Sequence, residues 1–260
     1  MLTKLLKYEL KATGRILVPS YFALLVLALV NRIILNASNA NQWDIPVVIG
    51  LLTYVIVVAA VAVVTLVLVI QRFYKNLLCE EGYLMFTLPV KPWQHITSKM
   101  LVAMVWTILS SIVANLSAFV IVFSFDDFNF NFNFNFLNEL FKVSNLHPLM
   151  FCLEGIIIIF LALAASILIL YASMALGHLF SQRRILASLG SFIVLCTLTQ
   201  IVSFLALLGV GRLDFLFNPD LSSITEMHIA FLILIIFMTL ISAIYFSITN
   251  YVLNKRLNLE

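Results

Sequence analysis

Charge is scarce in this sequence. Only 10% of its 260 residues are Asp, Glu, Lys or Arg, whereas a typical soluble domain carries about a quarter. Hydrophobic residues make up 63%, and long stretches contain no charged side chain. A core surrounded by water needs polar residues on its outward faces, which these stretches do not provide. The composition therefore excludes a water-soluble globular protein, and the length fits one compact membrane domain without a second soluble one.

Cysteine is also rare. The sequence has three, Cys79, Cys152 and Cys196. The number is odd and the spacing matches no metal-ligand motif, so we expect neither a disulfide framework nor a zinc site. We interpret these residues as small core hydrophobes. The four histidines, His95, His147, His178 and His228, share no helix face, so we expect no metal site built from them.

Motifs for chemistry are missing as well. An enzyme embedded in the membrane needs a constellation such as HExxH, GxSG before a histidine, or clustered aspartates at the membrane face, and none is present. The sequence also contains no GxxxxGKS or GxxxxGKT loop, so we do not expect the chain to bind and hydrolyse ATP in the P-loop manner. We therefore expect a protein that is not an enzyme by itself.

Long apolar stretches are what the sequence has in abundance. A helix needs about 20 apolar residues to cross the hydrocarbon core, where its backbone must satisfy its own hydrogen bonds. Six stretches qualify, approximately residues 16–35, 45–70, 100–125, 149–176, 185–210 and 228–253. Several are long enough to require tilt, and the first is too long for a cleaved signal peptide. The sequence predicts an all-α membrane protein with a domain of six transmembrane helices over residues 16–260.

The basic residues predict the orientation of these spans, because short loops rich in Lys and Arg stay in the cytoplasm. Twelve of the 15 fall on one side: Lys4, Lys7, Lys11, Arg15, Arg72, Lys75, Lys91, Lys99, Arg183, Arg184, Lys255 and Arg256. The other side keeps only Arg32, Lys142 and Arg212, together with most of the acidic residues of the loops. We therefore expect both termini in the cytoplasm.

Residues 1–15 have the pattern of an amphipathic helix, with leucines on one face. The other face carries four cations, Lys4, Lys7, Lys11 and Arg15. We expect this helix to lie on the inner membrane surface with its cations on anionic lipid, before Gly14 and Pro19 let the chain turn into the first span. The alternative is a frayed basic terminus that only sets the topology.

Glu9 interrupts this pattern, because it projects from the apolar face of the predicted helix. A carboxylate in that position is costly unless it is paired or neutralised. We predict that Glu9 meets a cation or a backbone donor of the large cytoplasmic loop and so fixes the helix to the rest of the protein.

That cytoplasmic loop, residues 71–98, is too apolar for a solvated linker. Breaks at Gly82, Pro89 and Pro92 predict that the second helix extends into the cytoplasm and is followed by a short helix and then the third span. A short transverse helix carrying Glu80, Glu81 and aromatic residues suits a groove in a soluble partner. The alternative is a loop that folds back on its own helices.

The stretch EEGYLMFTLPVKPWQHITSKML resembles the corresponding loop of the ABC type-2 permeases of Gram-positive bacteria, and LLKYELKATGRI resembles their N-terminal interfacial helix. The layout is similar too, with six spans, a large inner loop after the second and a short outer element before the sixth. The resemblance implies a coupling helix on a separate ATP-binding subunit, which would hold ATP and Mg. The matching contact positions are Glu80, Glu81, Gly82, Tyr83, Leu84, Phe86, Leu88 and Pro89.

The resemblance also implies a second permease, identical or related, in the cytoplasmic membrane of a bacterium. The expected function is export of a hydrophobic or amphipathic substrate, such as a peptide antibiotic, a drug or a lipid-like molecule, which would serve resistance. We expect no cofactor on this chain and no nucleic-acid partner. The alternative from another class is a membrane-embedded sensor or structural protein without transport, which would not explain an apolar inner loop with acidic residues.

Two outer segments and a few polar residues in the spans complete the candidates. The loop 126–148 alternates Phe and Asn over residues 128–136, which places the rings on one face of an extended strand. Such a strand suits packing on helix ends, pairing across a dimer or capture of an amphipathic substrate; the alternative is a low-complexity expansion. Residues 211–227 predict a short re-entrant or interfacial element that, by the resemblance, helps close the outer end of the pathway.

Glu154 is the only acidic residue within the predicted spans. One interpretation is functional: Glu154 lines an extracellular gate or binds a cationic substrate. The alternative is a boundary residue that reaches water beside His147. Gln200 and Asn115 are weaker candidates for the pathway, because such groups also form hydrogen bonds between helices. The same reservation applies to Thr53, Tyr54 and Thr65.

Overall fold

The computed structural model describes residues 2–37, 45–78, 91–122, 147–180, 183–210 and 223–255, and nearly all of them are helical. The six long helices are α1 (Leu2–Ala37), α2 (Ile45–Phe73), α3 (Pro92–Val122), α4 (His147–Gly177), α5 (Arg184–Val210) and α6 (Ser223–Lys255). A π-helical turn, Tyr74–Leu78, continues α2 and is called the π turn below. The prediction of an all-α protein is confirmed for this part of the chain.

Each of the six helices is long and apolar enough to cross a membrane. The qualifying segments are Thr3–Asn36, Ile45–Leu78, Pro92–Val122, Met150–Gly177, Arg184–Gly209 and Met227–Asn254. Uncharged apolar stretches of this length form helices in lipid because a helix satisfies its backbone hydrogen bonds internally. Each of the six segments overlaps one of the six predicted spans, and together they fit a multi-pass membrane protein.

The start of the first span differs from the prediction. α1 runs from Leu2 through Gly14 and Pro19 without interruption, so the expected turn between a separate interfacial helix and the span is absent. Proline removes one backbone hydrogen bond, but a full turn would expose many more backbone groups to lipid, so the helix continues. Residues 1–15 are therefore not a separate element, and the 36 residues of α1 extend for about 54 Å.

Two predicted loops are partly helical at their ends: the loop 71–98 between α2 and α3, and the outer element 211–227 before α6. α3 begins at Pro92 and not near residue 100, because proline suits the first helical position, where its missing N–H costs nothing. At the other end of the loop 71–98, α2 and the π turn include residues up to Leu78. α6 begins at Ser223 and so includes the last residues of the predicted outer element 211–227.

The helices divide into two compact units. The first contains residues 1–73 and 97–132, and the second contains residues 74–96 and 133–260. The core of the first unit is formed by Leu17, Tyr21, Val61, Leu68, Val102 and Trp106. In the second unit the most buried side chains of α4 include Ile167, Leu168, Tyr171, Ala172 and Ala175. Lipid chains are as apolar as leucine, so van der Waals packing and hydrogen bonds hold such cores.

The cysteines do not all occupy core positions. Cys152 and Cys196 are free thiols, but Cys152 is exposed and Cys196 is only partly buried. The expectation of buried cysteines was wrong for Cys152, because an apolar side chain on a membrane helix has no need to leave the outer surface when the surroundings are hydrocarbon. Cys79 lies outside the described residues.

Candidate functional site

A charged cluster in the first unit joins three helices. Glu9 Oε1 of α1 lies 2.5 Å from Lys99 Nζ of α3, and Glu9 Oε2 lies 3.6 Å from Arg72 Nη1 in the last turn of α2. The side chains of Glu9 and Lys99 are 11% and 3% exposed, so solvent and salt screen their attraction weakly. Arg72 is 28% exposed and contributes less.

The rest of α1 explains why Glu9 reaches these cations. Leu6 and Leu10, on the same side of the helix, pack against the core of the first unit and turn Glu9 toward α2 and α3. The predicted partner from the loop 71–98 is therefore present as Arg72, while Lys99, the closer partner, was missed. A cation near the start of a membrane span is itself a signal, because it needs a partner or access to water.

The four cations predicted to oppose the apolar face are all exposed; they are Lys4, Lys7, Lys11 and Arg15. On the opposite face, Leu5, Leu6 and Leu10 are partly buried. This apolar face is covered in part by the protein, through Leu6 and Leu10, and does not depend on lipid alone.

Hydrogen bonds between helices occupy several polar residues of the first unit. The Tyr21 hydroxyl lies 2.5 Å from Ser110 Oγ, which lies 2.9 Å from Thr65 Oγ1. The Tyr54 hydroxyl lies 2.9 Å from Ser117 Oγ. Thr65 and Tyr54, two of the weaker pathway candidates, therefore hold α2 against α3.

Glu154 belongs to the second unit, where it pairs with His228 of α6. Nδ1 of His228 lies 3.0 and 2.9 Å from the two carboxylate oxygens, so this nitrogen donates to the carboxylate. The ring of Phe151 stacks on the imidazole at a centroid distance of 3.9 Å, and Phe231 meets Phe151 edge to face. The sequence interpretation placed Glu154 beside His147, whereas its hydrogen-bond partner is His228.

The hydrogen bonds from His228 give a partner to a carboxylate that would be costly without one in a membrane helix. Glu154 and His228 are 17% and 16% exposed, so the site is partly open. The sequence did not predict this pairing, because His147 is the histidine nearer to Glu154 along the chain. Glu154 and His228 both lie in the first three turns of helices that start on the same predicted side, and this equal depth is the signal that could have identified them.

The two amide candidates lie on exposed helix faces, Asn115 in the first unit and Gln200 in the second. Asn115 Nδ2 donates to the Ser111 carbonyl at 2.8 Å, so its own helix satisfies part of the amide. Gln200 lies just past the middle of α5, a helix whose most apolar stretch contains no buried residue. Both amides thus face away from the packing of this single chain.

Several predicted residues lie outside the described part of the chain. The eight proposed contacts with an ATP-binding subunit fall within residues 79–90; they are Glu80, Glu81, Gly82, Tyr83, Leu84, Phe86, Leu88 and Pro89. The Phe/Asn stretch of the loop 126–148 and residues 211–222 also lie outside it. Among the described residues, no group of three or more His, Cys, Asp or Glu side chains is placed to hold a metal ion.

Comparison with protein-family models, with curated proteins and with solved structures gives no match. The functional conclusion therefore depends on the sequence pattern and on the geometry of the Glu9 cluster and the Glu154–His228 pair. The first of these lies beside the predicted cytoplasmic loop, and the second lies near the opposite predicted surface.

Proposed function

We propose that this chain is the membrane-spanning permease subunit of an ATP-driven exporter of the ABC type-2 kind, in the cytoplasmic membrane of a bacterium. A separate subunit binds ATP and Mg and docks on residues 79–90, called the docking segment below. Two permease subunits form the pathway, which carries a hydrophobic or amphipathic substrate out of the cell.

The observation that carries this proposal is the arrangement of the helices on either side of the docking segment. Arg72 precedes the docking segment and Lys99 follows it, and both contact the single carboxylate of Glu9. A force applied to the docking segment would therefore move α1, α2 and α3 together, because Glu9 links them through Arg72 and Lys99. An ATP-binding subunit that closes on the docking segment needs helices connected in this way if its closure is to move them in the membrane.

The composition of the spans supports the substrate class. Glu154 is the only acidic residue within the predicted spans, since Glu9 and Glu226 lie near the ends of α1 and α6, and it is already paired with His228. A pathway lined by these helices would thus be mainly apolar, which favours hydrophobic or amphipathic cargo over a small ion. The exposed faces that carry Asn115 and Gln200 leave surface for a second permease or for the pathway itself.

The proposal is tested by purifying the tagged chain from its native membranes in a mild detergent. We expect mass spectrometry to identify a co-purifying subunit with a P-loop, and the preparation to hydrolyse ATP. A tagged membrane protein of unrelated sequence, purified from the same cells, is the control for P-loop proteins and ATPase activity that co-purify non-specifically. Purification of this chain with neither a nucleotide-binding partner nor ATPase activity would contradict the proposal.

A further inference from the structure

His178 lies in a tight hairpin between α4 and α5. Gly177 permits the close approach of the two helices, because a Cβ atom at this position would lie 2.5 Å from the backbone N and Cα of Ser188. Ser191 Oγ of α5 donates to the Ser173 carbonyl of α4 at 2.7 Å and holds them together. His178 is 8% exposed, so the imidazole at the end of this hairpin is almost completely buried.

The contacts of this imidazole define its protonation state. Arg184 Nη1 lies 3.4 Å from Nε2, and a guanidinium can only donate, so Nε2 accepts. The ring is therefore neutral, with its proton on Nδ1. The imidazole also forms a hydrogen bond with the backbone of Leu78, in which the carbonyl accepts. Tyr74 adds a ring contact at a centroid distance of 6.4 Å.

These contacts connect the hairpin to the π turn. Tyr74 and Leu78 are the first and last residues of the π turn, and Leu78 directly precedes the docking segment in the sequence. Leu77 and Leu78 are 0% and 1% exposed, so the turn is firmly packed. π-helical turns are frequent at functional sites. His178 is thus placed to hold the π turn, whose last residue directly precedes the docking segment in the sequence.

A second proton on His178 would work against this arrangement. It would occupy Nε2 and direct an N–H toward the guanidinium of Arg184, so two cations would face each other. Burial lowers the pKa of His178, and the charge of Arg184 lowers it further, against the opposing effect of the hydrogen bond to Leu78. Within the part of the chain that the structure describes, the titratable groups that contact the ring are Tyr74 from the π turn and Arg184 from α5.

We propose that His178 is a positioning residue that holds the π turn against the α4–α5 hairpin when neutral and releases it when the cytoplasm becomes acidic. The consequence for function rests on the proposed docking of an ATPase on the adjacent segment: acidification would loosen the coupling between ATP hydrolysis and transport. The device would make the exporter less active in an acidified cell.

The direction follows from the linkage between protonation and release. A released imidazole has an ordinary pKa of about 6.5, and the packed imidazole has a lower pKa. At a pH between these two pKa values, the released state therefore binds more protons than the packed state. The contact is therefore fully stable above about pH 6.5 and weakens as pH falls toward the folded pKa. Over that interval the population of the released state rises by up to about tenfold per pH unit.

Cys79 offers a direct measurement, because it follows Leu78 in the sequence. A chain with Cys152→Ala and Cys196→Ala keeps Cys79 as its single thiol. The rate at which a maleimide labels this chain in detergent is compared, at each pH, with the rate for the same chain carrying His178→Gln. The ratio cancels the pH dependence of the thiol itself. Glutamine stays neutral and can both donate and accept, so it is the matched control.

We expect the ratio of the two rates, His178 chain over H178Q chain, to be constant above about pH 7 and to rise below about pH 6.5. A constant ratio down to about pH 5.5 would overturn the inference. Arg184→Gln provides a second test in case H178Q does not fold. It brings the folded pKa closer to the ordinary value, so the rise in labelling on acidification should be smaller than for the chain with Arg184. An equal rise in both would also overturn the inference.

The labelling assay needs no ATP-binding subunit. A constant ratio would therefore reject the acid-sensitive contact and leave the permease proposal intact. Failure of the co-purification experiment would reject the permease proposal and leave the labelling result as it stands.

Discussion

The substitution Glu9→Gln tests whether one carboxylate holds α1, α2 and α3 together near residues 9, 72 and 99. Glutamine keeps the shape of the side chain and removes the charge that faces Lys99 at 2.5 Å. The Lys99 side chain is 3% exposed, so its ammonium would remain buried without this carboxylate. Removing one partner of a buried ion pair costs about 3–5 kcal/mol. Because Lys99 keeps other contacts, we take the lower end, about 3 kcal/mol.

Thermal unfolding of the purified protein in detergent measures this loss. At about 2–4 °C per kcal/mol for a chain of this size, the midpoint should fall by roughly 6–12 °C. Lys7→Gln is the matched control on an exposed position of the same helix, and its effect should stay within about 0.5 kcal/mol. The double variant Glu9→Gln/Lys99→Met should recover part of the loss, because no buried charge remains. A midpoint for E9Q equal to that of K7Q would refute the reasoning.

Two further substitutions have matched controls in the same chain. Gly177→Ala should destabilise the α4–α5 hairpin by about 2 kcal/mol, because the new Cβ would meet the Ser188 backbone. Its control is Gly190→Ala, whose Cβ would meet nothing within 4 Å and which should be neutral or slightly stabilising. Tyr21→Phe removes a buried hydroxyl from a network between helices and should cost about 1 kcal/mol, whereas Tyr8→Phe, at a side chain 69% exposed, should have no effect. Thermal unfolding in detergent checks both pairs; equal midpoints within either pair would contradict the corresponding assignment.

The six helices could be predicted from the sequence because in lipid the length of an apolar stretch outweighs local signals. The same reason explains the error at the start of the first span. Gly14 and Pro19 are turn signals in water, and they predicted a turn, but α1 continues through both. Inside a bilayer an interrupted helix leaves backbone groups without partners, so the environment overrides the propensity of single residues.

The candidate sites could be predicted in part. The cost of an unpaired carboxylate predicted that Glu9 has a partner, and Arg72 lies in the predicted segment. The choice of Lys99 as the closer partner depends on how α1 and α3 are rotated, which a single sequence does not reveal. The pairing of Glu154 with His228 depends on contact between α4 and α6, which are separated in the chain by the whole of α5.

The central claim is that the docking segment, residues 79–90, receives an ATP-binding subunit. The most direct test is the amount of that subunit retained by the purified permease after Glu80→Ala/Glu81→Ala. The matched control is Asp126→Ala/Asp127→Ala, a second adjacent acidic pair that the sequence predicts on the opposite side of the membrane. We predict a loss of about tenfold or more for the first pair, equivalent to about 1.4 kcal/mol of binding energy, and no loss for the second. Equal retention by both double variants would contradict the account.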